Sequence, residues 1–331
     1  LYYKPRSFEN IQTAKCILPV TEQLVKIVGT EYLPVKNIEF NDIKFAYTTW
    51  LYPTEHKGFP SGQNNTFYTD LSHNYSFTDA AVQVDCACNI DFINCTFTKL
   101  GSVALKMRKG VQNCDIVGNE VYDISGNGIC LGGQRAEESN LPKESQKNKN
   151  NTVANNYIHK IGVDYHGGSA LSTTYAQDTV VRNNEIFDVS YMGIHMGHIY
   201  DENYIAGLNV SGNYVHDTGN NMVETCPIYT FSATAGTDEK PNVISGNYTA
   251  YNWGRTGSIG NDHGVSNLII RNNVMDSTHS WKCADDYGYY YLRNWRASDT
   301  GFGNADGGNI IIDNNYGTQG AYTDKSIEEY G

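Results

Sequence analysis

No stretch of this sequence approaches the ~18 unbroken apolar residues of a membrane span, although hydrophobic residues make up 40% of it. Positive charge is scarce too. The chain has 24 Lys and Arg against 36 Asp and Glu, a formal net charge of −12. That balance argues against nucleic acid or an anionic polymer as the main partner, since either would prefer a basic face. Ala, Leu, Glu and Lys do not dominate, and the abundant Asn and Gly are poor helix formers, so a long helical protein is excluded. Cys86-Ala87-Cys88 has a single spacer and no second close pair, which supports no zinc site. A charged-then-apolar leader is also missing. The chain opens on Leu1-Tyr2-Tyr3-Lys4-Pro5-Arg6 and closes on Ser326-Ile327-Glu328-Glu329-Tyr330-Gly331. Both ends read like the inside of a sequence, and part of a longer or processed protein is expected.

What the 331 residues do contain is 36 Asn, 32 Gly and 25 Tyr. That mixture suits many short strands joined by tight turns. Eight cysteines are present, several at apolar strand positions where a buried free thiol is expected. Six Asn-x-Ser/Thr sequons begin at Asn64, Asn74, Asn94, Asn150, Asn209 and Asn247, a weak pointer to a secreted or cell-surface location in so Asn-rich a chain.

An internal repeat organises the sequence. Its core is an apolar residue, a spacer, Asn, a spacer and an apolar residue, often followed by His or Asp. It runs through Val117-Gly118-Asn119-Glu120-Val121, Val153-Ala154-Asn155-Asn156-Tyr157-Ile158-His159 and Val181-Arg182-Asn183-Asn184-Glu185-Ile186. It continues in Val210-Ser211-Gly212-Asn213-Tyr214-Val215, Ile244-Ser245-Gly246-Asn247-Tyr248, Ile270-Arg271-Asn272-Asn273-Val274 and Ile312-Asp313-Asn314-Asn315-Tyr316. An earlier copy, Ile93-Asn94-Cys95-Thr96-Phe97, puts Cys95 where the Asn belongs. Subtraction along positions 95, 119, 156, 184, 213, 247, 273 and 315 gives steps of 24, 37, 28, 29, 34, 26 and 42.

A basic unit of 24 to 29 residues with two or three short apolar strands fits one coil of a parallel β-solenoid. The repeated Asn is expected at a turn between sheets, each side chain bonding its neighbour one coil on and so satisfying amides that are costly to bury. A leucine-rich repeat lacks its Leu-x-x-Leu-x-Leu frame here, and a propeller lacks its longer blade signature. The expected fold is all-β: one right-handed parallel β-helix over 1–331, with an Asn ladder and loop excursions on one flank. The segment 134–151, rich in Glu, Lys, Gln and Asn, reads as an exposed polar loop, and 47–76 as a long excursion. Excess residues in the 213–247 and 273–315 coils are rich in Tyr, Trp, Thr, Asp and Gly and could wall a cleft.

Polar and aromatic residues are densest between 191 and 290: Tyr191, His195, His198, Glu224, Tyr229, Trp253, Arg255, Asp262, His263, Trp281, Asp285, Asp286 and Tyr287. Rings that stack on sugar faces beside carboxylates that bind hydroxyls are what a glycan site needs. Glycoside hydrolysis usually takes two carboxyl groups, and Asp262 and Glu224 are the catalytic candidates. His195, Tyr229, His263, Trp253, Arg255, Trp281 and Tyr191 are the substrate-binding candidates. His195 and Tyr229 each follow a stacked Ile by one residue and are expected to point together from adjacent strands.

The opening Leu1-Tyr2-Tyr3-Lys4-Pro5, the Asn-Ile-x-Phe coil starts at Asn37 and Asn89 and the Asn-Asn repeats resemble secreted β-helix carbohydrate enzymes. They are similar to glycoside hydrolase family 141, whose members include α-L-fucosidases and xylanases. Sequences of that kind carry Asp-Gly-Gly-Ala-Ile-Tyr-Thr in one coil and Gly-Ile-Tyr-x-Asp-Glu-Gly-Ser in the next. Here Glu224-Thr225-Cys226-Pro227-Ile228-Tyr229-Thr230 and Ser258-Ile259-Gly260-Asn261-Asp262-His263-Gly264 stand in their place. The resemblance implies that Glu224 replaces the first acid, Asp262 keeps the second, and His263 replaces the acid after it. Aligning Ile228 on Ile259 puts Glu224 four residues before the stack and Asp262 three after it. Fully extended flanks of seven residues would span about 23 Å, too far for a carboxylate pair at ~5 to 9.5 Å. Either the backbone bends through Cys226-Pro227 or another pair is used.

Three functions follow. The first is hydrolysis of a plant or microbial oligo- or polysaccharide by two-carboxylate catalysis. The second is a non-catalytic glycan-binding or surface-scaffold role, which the altered acid motifs keep open. The third is a polysaccharide lyase or epimerase, weakened by the net charge and by Arg255 being the single Arg near the cluster. No ligand spacing demands calcium, and no cofactor is expected.

Overall fold

The computed structural model describes residues 2–317 apart from 53–59, 61, 69–74, 134–137, 139–140, 198–204, 232–236, 238, 255–256, 263–264, 277–289 and 293–307. At 67, 68, 75, 76, 290–292 and 308 it describes the backbone alone. Strands of two to seven residues pair into three long sheets, and every pairing is parallel except a short hairpin of Thr66–Tyr68 with Tyr75–Phe77. Each coil visits the three sheets in turn. One coil runs from Val103–Met107 in the first sheet, through Val111–Gln112 and Asp115–Val117 in the second, to Glu120–Ile124 in the third. The chain folds as a right-handed parallel β-helix, as the repeat predicts.

Rows of like residues explain the stacking. In the first sheet Leu105, Ile129, Leu171, Ile194, Ile228 and Ile259 lie in register and are fully buried. Ile116, Val153, Val181, Val210, Ile244 and Ile270 do the same in the second sheet. Val121, Ile158, Ile186 and Val215 do so in the third. Each side chain taken from water in this way contributes roughly 1.5–3 kcal/mol.

The Asn excess has two uses. Asn119, Asn156, Asn184, Asn213, Asn247, Asn273 and Asn315 form the inner ladder at the corner between the second and third sheets. Asn156 Nδ2 donates to Asn184 Oδ1 at 2.9 Å and to the Ile116 carbonyl at 2.9 Å, and the Asn156 amide also donates to Asn184 Oδ1 at 3.0 Å. The sequence separations along this ladder are those of the repeat, and the Cys95 amide starts it by donating to Asn119 Oδ1 at 2.8 Å. A second set, including Asn113, Asn150, Asn155, Asn183 and Asn272, takes the left-handed backbone of the corners, which Asn tolerates better than most residues. Buried Asn64 and Asn247 also show that two of the sequons are structural.

Cys95, Cys114, Cys130 and Cys226 are buried free thiols, and Cys16 is an exposed one. Burial pushes Cys114 up to about 12 and Cys130 up to about 11. In the 134–151 segment, residues 141–147 run over the surface, whereas Asn148–Lys149 rejoin the second sheet and Asn148 and Asn151 are buried.

Candidate functional site

The outer face of the first sheet carries a row one residue past the buried aliphatic row: Lys106, Cys130, Ser172, His195, Tyr229 and Gly260. Two residues further along the strands, Phe231 pairs with Asp262. His195 and Tyr229 are therefore strand neighbours, as their spacing predicts. Their rings meet edge to face at 5.3 Å between centroids. The Tyr229 hydroxyl donates to Asp262 Oδ2 at 3.0 Å, and both side chains are buried. Burial is the main cause that raises the Tyr229 phenol well above its ordinary value, and the Asp262 charge adds to it, so the phenol stays a donor at any working pH.

His195 is fully enclosed, and burial lowers its imidazole to about 3. It is a neutral ring beneath Tyr229. Tyr191 packs in the same cluster as Tyr229, Phe231, Met192 and Cys226. Burial raises its phenol, and the fields of Cys226, Glu224 and Asp262 raise it further. Tyr191 thus feels both candidate carboxylates.

Glu224 is exposed, and the extended-flank geometry does not apply to it. The backbone bends at Val223, Glu224 and Pro227, while Ile228 stacks on Ile259 as the alignment predicts. The Thr225 hydroxyl donates to the Tyr191 carbonyl at 2.6 Å, tying the bent segment to the coil before. On its other side Thr225 touches Gly254, where a Cβ would fall 2.1 Å from the Thr225 carbonyl oxygen. Glu224 and half-exposed Trp253 each precede one member of that contact, so they leave the same corner of the β-helix. His263, Arg255 and Trp281, like His198, Asp285, Asp286 and Tyr287, lie outside the described residues.

Three side chains that the sequence reading did not select complete the face. Lys106 is buried, its ammonium lowered to about 8 by burial, and Nζ donates to the Thr78 carbonyl at 3.0 Å. Ser172 Oγ accepts from Asn64 Nδ2 at 2.9 Å. Gln63 lies close to the Tyr229 hydroxyl and opposes the rise of the phenol. Residues 63 and 64 of the excursion therefore lie against this face at Tyr229 and Ser172. The excursion is pinned by Asn127 Nδ2 donating to Asn64 Oδ1 at 3.0 Å and by Asn65 Nδ2 donating to the Tyr165 carbonyl at 3.0 Å. Trp50 meets Tyr165 edge to face at 5.4 Å. The register argument that paired His195 with Tyr229 leads to Lys106 and Ser172 as well. Gln63 comes from a segment outside the repeat and has no such signal.

No protein-family description and no curated protein matches the chain. Among solved structures, 99% of it aligns with 55% of a chain described as a glycoside hydrolase, at 25% identity and a TM-score of 0.75. The fold is glycoside hydrolase-like. The chain spans about half the length of that protein. Weaker likenesses run to XylC, solved in complex with xylose (14% identity, 88% of this chain and 43% of that one, TM-score 0.48). They also run to the Streptococcus pneumoniae surface protein and adhesin PfbA (12% identity, 91% and 80%, TM-score 0.41). Among the described residues no helix is long and apolar enough to cross a membrane.

Proposed function

We propose that the chain is a secreted or cell-surface glycoside hydrolase that cleaves a plant or microbial glycan at the outer face of the first sheet. Asp262 and Glu224 are its two carboxylates. The observation that carries this reading is the Tyr229–Asp262 hydrogen bond on a β-helix whose whole length aligns with a glycoside hydrolase. The resemblance to family 141 belongs to the same proposal.

In this mechanism Asp262, oriented by the Tyr229 phenol, is the anionic partner that attacks the anomeric carbon or activates water. Glu224, on the solvent side, delivers the proton to the leaving oxygen. The neutral His195 ring supports Tyr229 from below and carries no proton in the reaction. Trp253 offers a ring face at the corner from which Glu224 emerges, suited to stacking on a sugar. Tyr191, whose phenol feels the charge of both acids, holds the bent segment through its carbonyl.

The deciding experiment is turnover of an aryl-glycoside and plant-polysaccharide panel by the protein, by Asp262→Asn and by Glu224→Gln. Loss of ~10²- to 10⁴-fold in each variant, with the fold retained by circular dichroism, supports the assignment. Turnover that survives both substitutions removes these acids from the chemistry. Glycan binding with no turnover by the unaltered protein on any substrate replaces the hydrolase with the non-catalytic role.

A further inference from the structure

A second polar recess lies at the corner between the second and third sheets, which takes no part in the Tyr229–Asp262 face. Every coil there turns through a left-handed residue: Asn155, Asn183, Gly212, Gly246, Asn272 and Asn314, with φ between 49° and 64°. In several coils where two Asn follow one another, the later amide caps the earlier one. Asn314 Nδ2 donates to Asn272 Oδ1 at 2.7 Å. Further outward Asn pairs run the same way, Asn309 to Asn267 at 3.0 Å and Asn150 to Asn113 at 3.2 Å. Gly212 and Gly246 interrupt this outer ladder for two consecutive coils. Asn183 Oδ1 lies 2.7 Å from where a Cβ on Gly212 would sit, so the carboxamide looks into the gap.

The residue before each turn shows the same interruption. Arg182, Ser211, Ser245 and Arg271 are successive partners in register, so two serines separate two arginines. The result is a notch of about 440 Å³, with Ser-Gly steps as its floor and an Arg-Asn pair at each end. Parallel neighbours lie ~4.8 Å apart, which sets the two arginine backbones roughly 14 Å apart. Asp313 stands beside Arg271 on the side away from the notch. Among the described residues neither guanidinium forms an ion pair. Arg108, by contrast, is paired with Glu138 at 2.6 Å and Asp85 at 3.6 Å.

We propose that this notch binds a short carboxylated glycan segment, with uronate groups on Arg182 and Arg271 and sugar hydroxyls over Ser211 and Ser245. Guanidinium presents a planar fork that matches a carboxylate with two hydrogen bonds. The floor between the forks is polar and shallow, and one coil step is close to the advance of one sugar ring. It has no apolar anchor point of the kind a peptide side chain would fill. The net charge of −12 does not forbid such a ligand. Charges farther off than the ~8 Å screening length at physiological salt are largely silent at the notch, whose own lining carries two guanidiniums and no carboxylate. The same reasoning limits the ligand to a segment rather than a long polyanion.

Calorimetric titration of the unaltered protein with tetragalacturonate, with a neutral glucose tetrasaccharide and with tetraglutamate tests the proposal. Two double variants accompany it. Arg182→Gln with Arg271→Gln removes the forks. Gly212→Asn with Gly246→Asn refills the outer ladder with the residue that already takes this backbone in the flanking coils, so folding is preserved while the notch is closed. Tetragalacturonate is expected to bind the unaltered protein, and about tenfold or more weaker to each double variant. Unchanged affinity in either variant, or no binding to the unaltered protein, overturns the site. Equal affinity for the neutral tetrasaccharide or for tetraglutamate overturns the carboxylated-glycan assignment. Neither double variant touches the Tyr229–Asp262 face, and turnover of neutral aryl-glycosides by both stays at the unaltered level. The two proposals can therefore fail separately.

Discussion

Tyr229 and Asp262 sit on adjacent coils, and the phenol donates to Oδ2 of the carboxylate at 3.0 Å with both groups buried. A hydrogen bond to a buried charged group is worth about 1.5–3 kcal/mol. Tyr229→Phe removes that donor and leaves the ring contact with His195. On the hydrolase reading, kcat is expected to fall about 10- to 100-fold, with KM changing much less. An unchanged kcat separates Tyr229 from the reaction.

His195 links stability to pH. Its native imidazole titrates at about 3, whereas an unfolded His titrates at about 6.5. Between those values the unfolded chain holds a proton there that the native chain does not, so stability declines as pH falls through this window. The His195 share reaches about 2 kcal/mol by pH 5. Urea unfolding at pH 7 and pH 5 measures it. His195→Gln, which does not titrate, should lose about 2 kcal/mol less than the unaltered protein over the same interval.

Asn184 serves four hydrogen bonds. Its Oδ1 accepts from the Asn156 amide and side chain, and its Nδ2 donates to the Val153 carbonyl and Asn213 Oδ1. Asn184→Ala strands buried partners on both sides and is expected to cost roughly 2–4 kcal/mol. Asn183→Gly, one residue earlier and facing outward, should stay within about 0.5 kcal/mol. Equal unfolding midpoints for the two variants would contradict the ladder's energetic role.

Thiol accessibility is expected to divide the cysteines. Iodoacetamide at pH 8 should label Cys16 in the native protein. Cys114 and Cys130 should stay unmodified, because burial holds their thiols near 12 and 11. Both become reactive in denaturant. Mass spectrometry of tryptic peptides reads the pattern, and rapid native labelling of Cys130 would mean that the outer face of the first sheet opens.

Much of this architecture is legible without coordinates because it repeats. Val117, Val153, Val181 and Val210 mark the coils, and a ladder Asn follows each by two or three positions, so the steps between 95 and 315 are also the steps of the hydrogen bonds. The pairing of His195 with Tyr229 follows from the same stacking. Glu224 departs from the expectation of extended flanks because bends at Val223, Glu224 and Pro227 depend on Thr225 packing against Tyr191 and Gly254, contacts made between coils.

The sequence by itself determined the β-helix, since a parallel solenoid meets its neighbour at a constant register and turns a one-dimensional repeat into a three-dimensional row. It also determined which residues share a row: Ser172, His195 and Tyr229 on one face, Arg182 and Arg271 at another corner. Only the tertiary structure decided what lies against those rows. The Gln63 contact with Tyr229, the Asn64 bond to Ser172 and the Asn65 pin to Tyr165 join residues 100 or more positions apart along the chain. Such contacts arise from where an irregular excursion finds partners for its buried amides, and no periodicity records that choice.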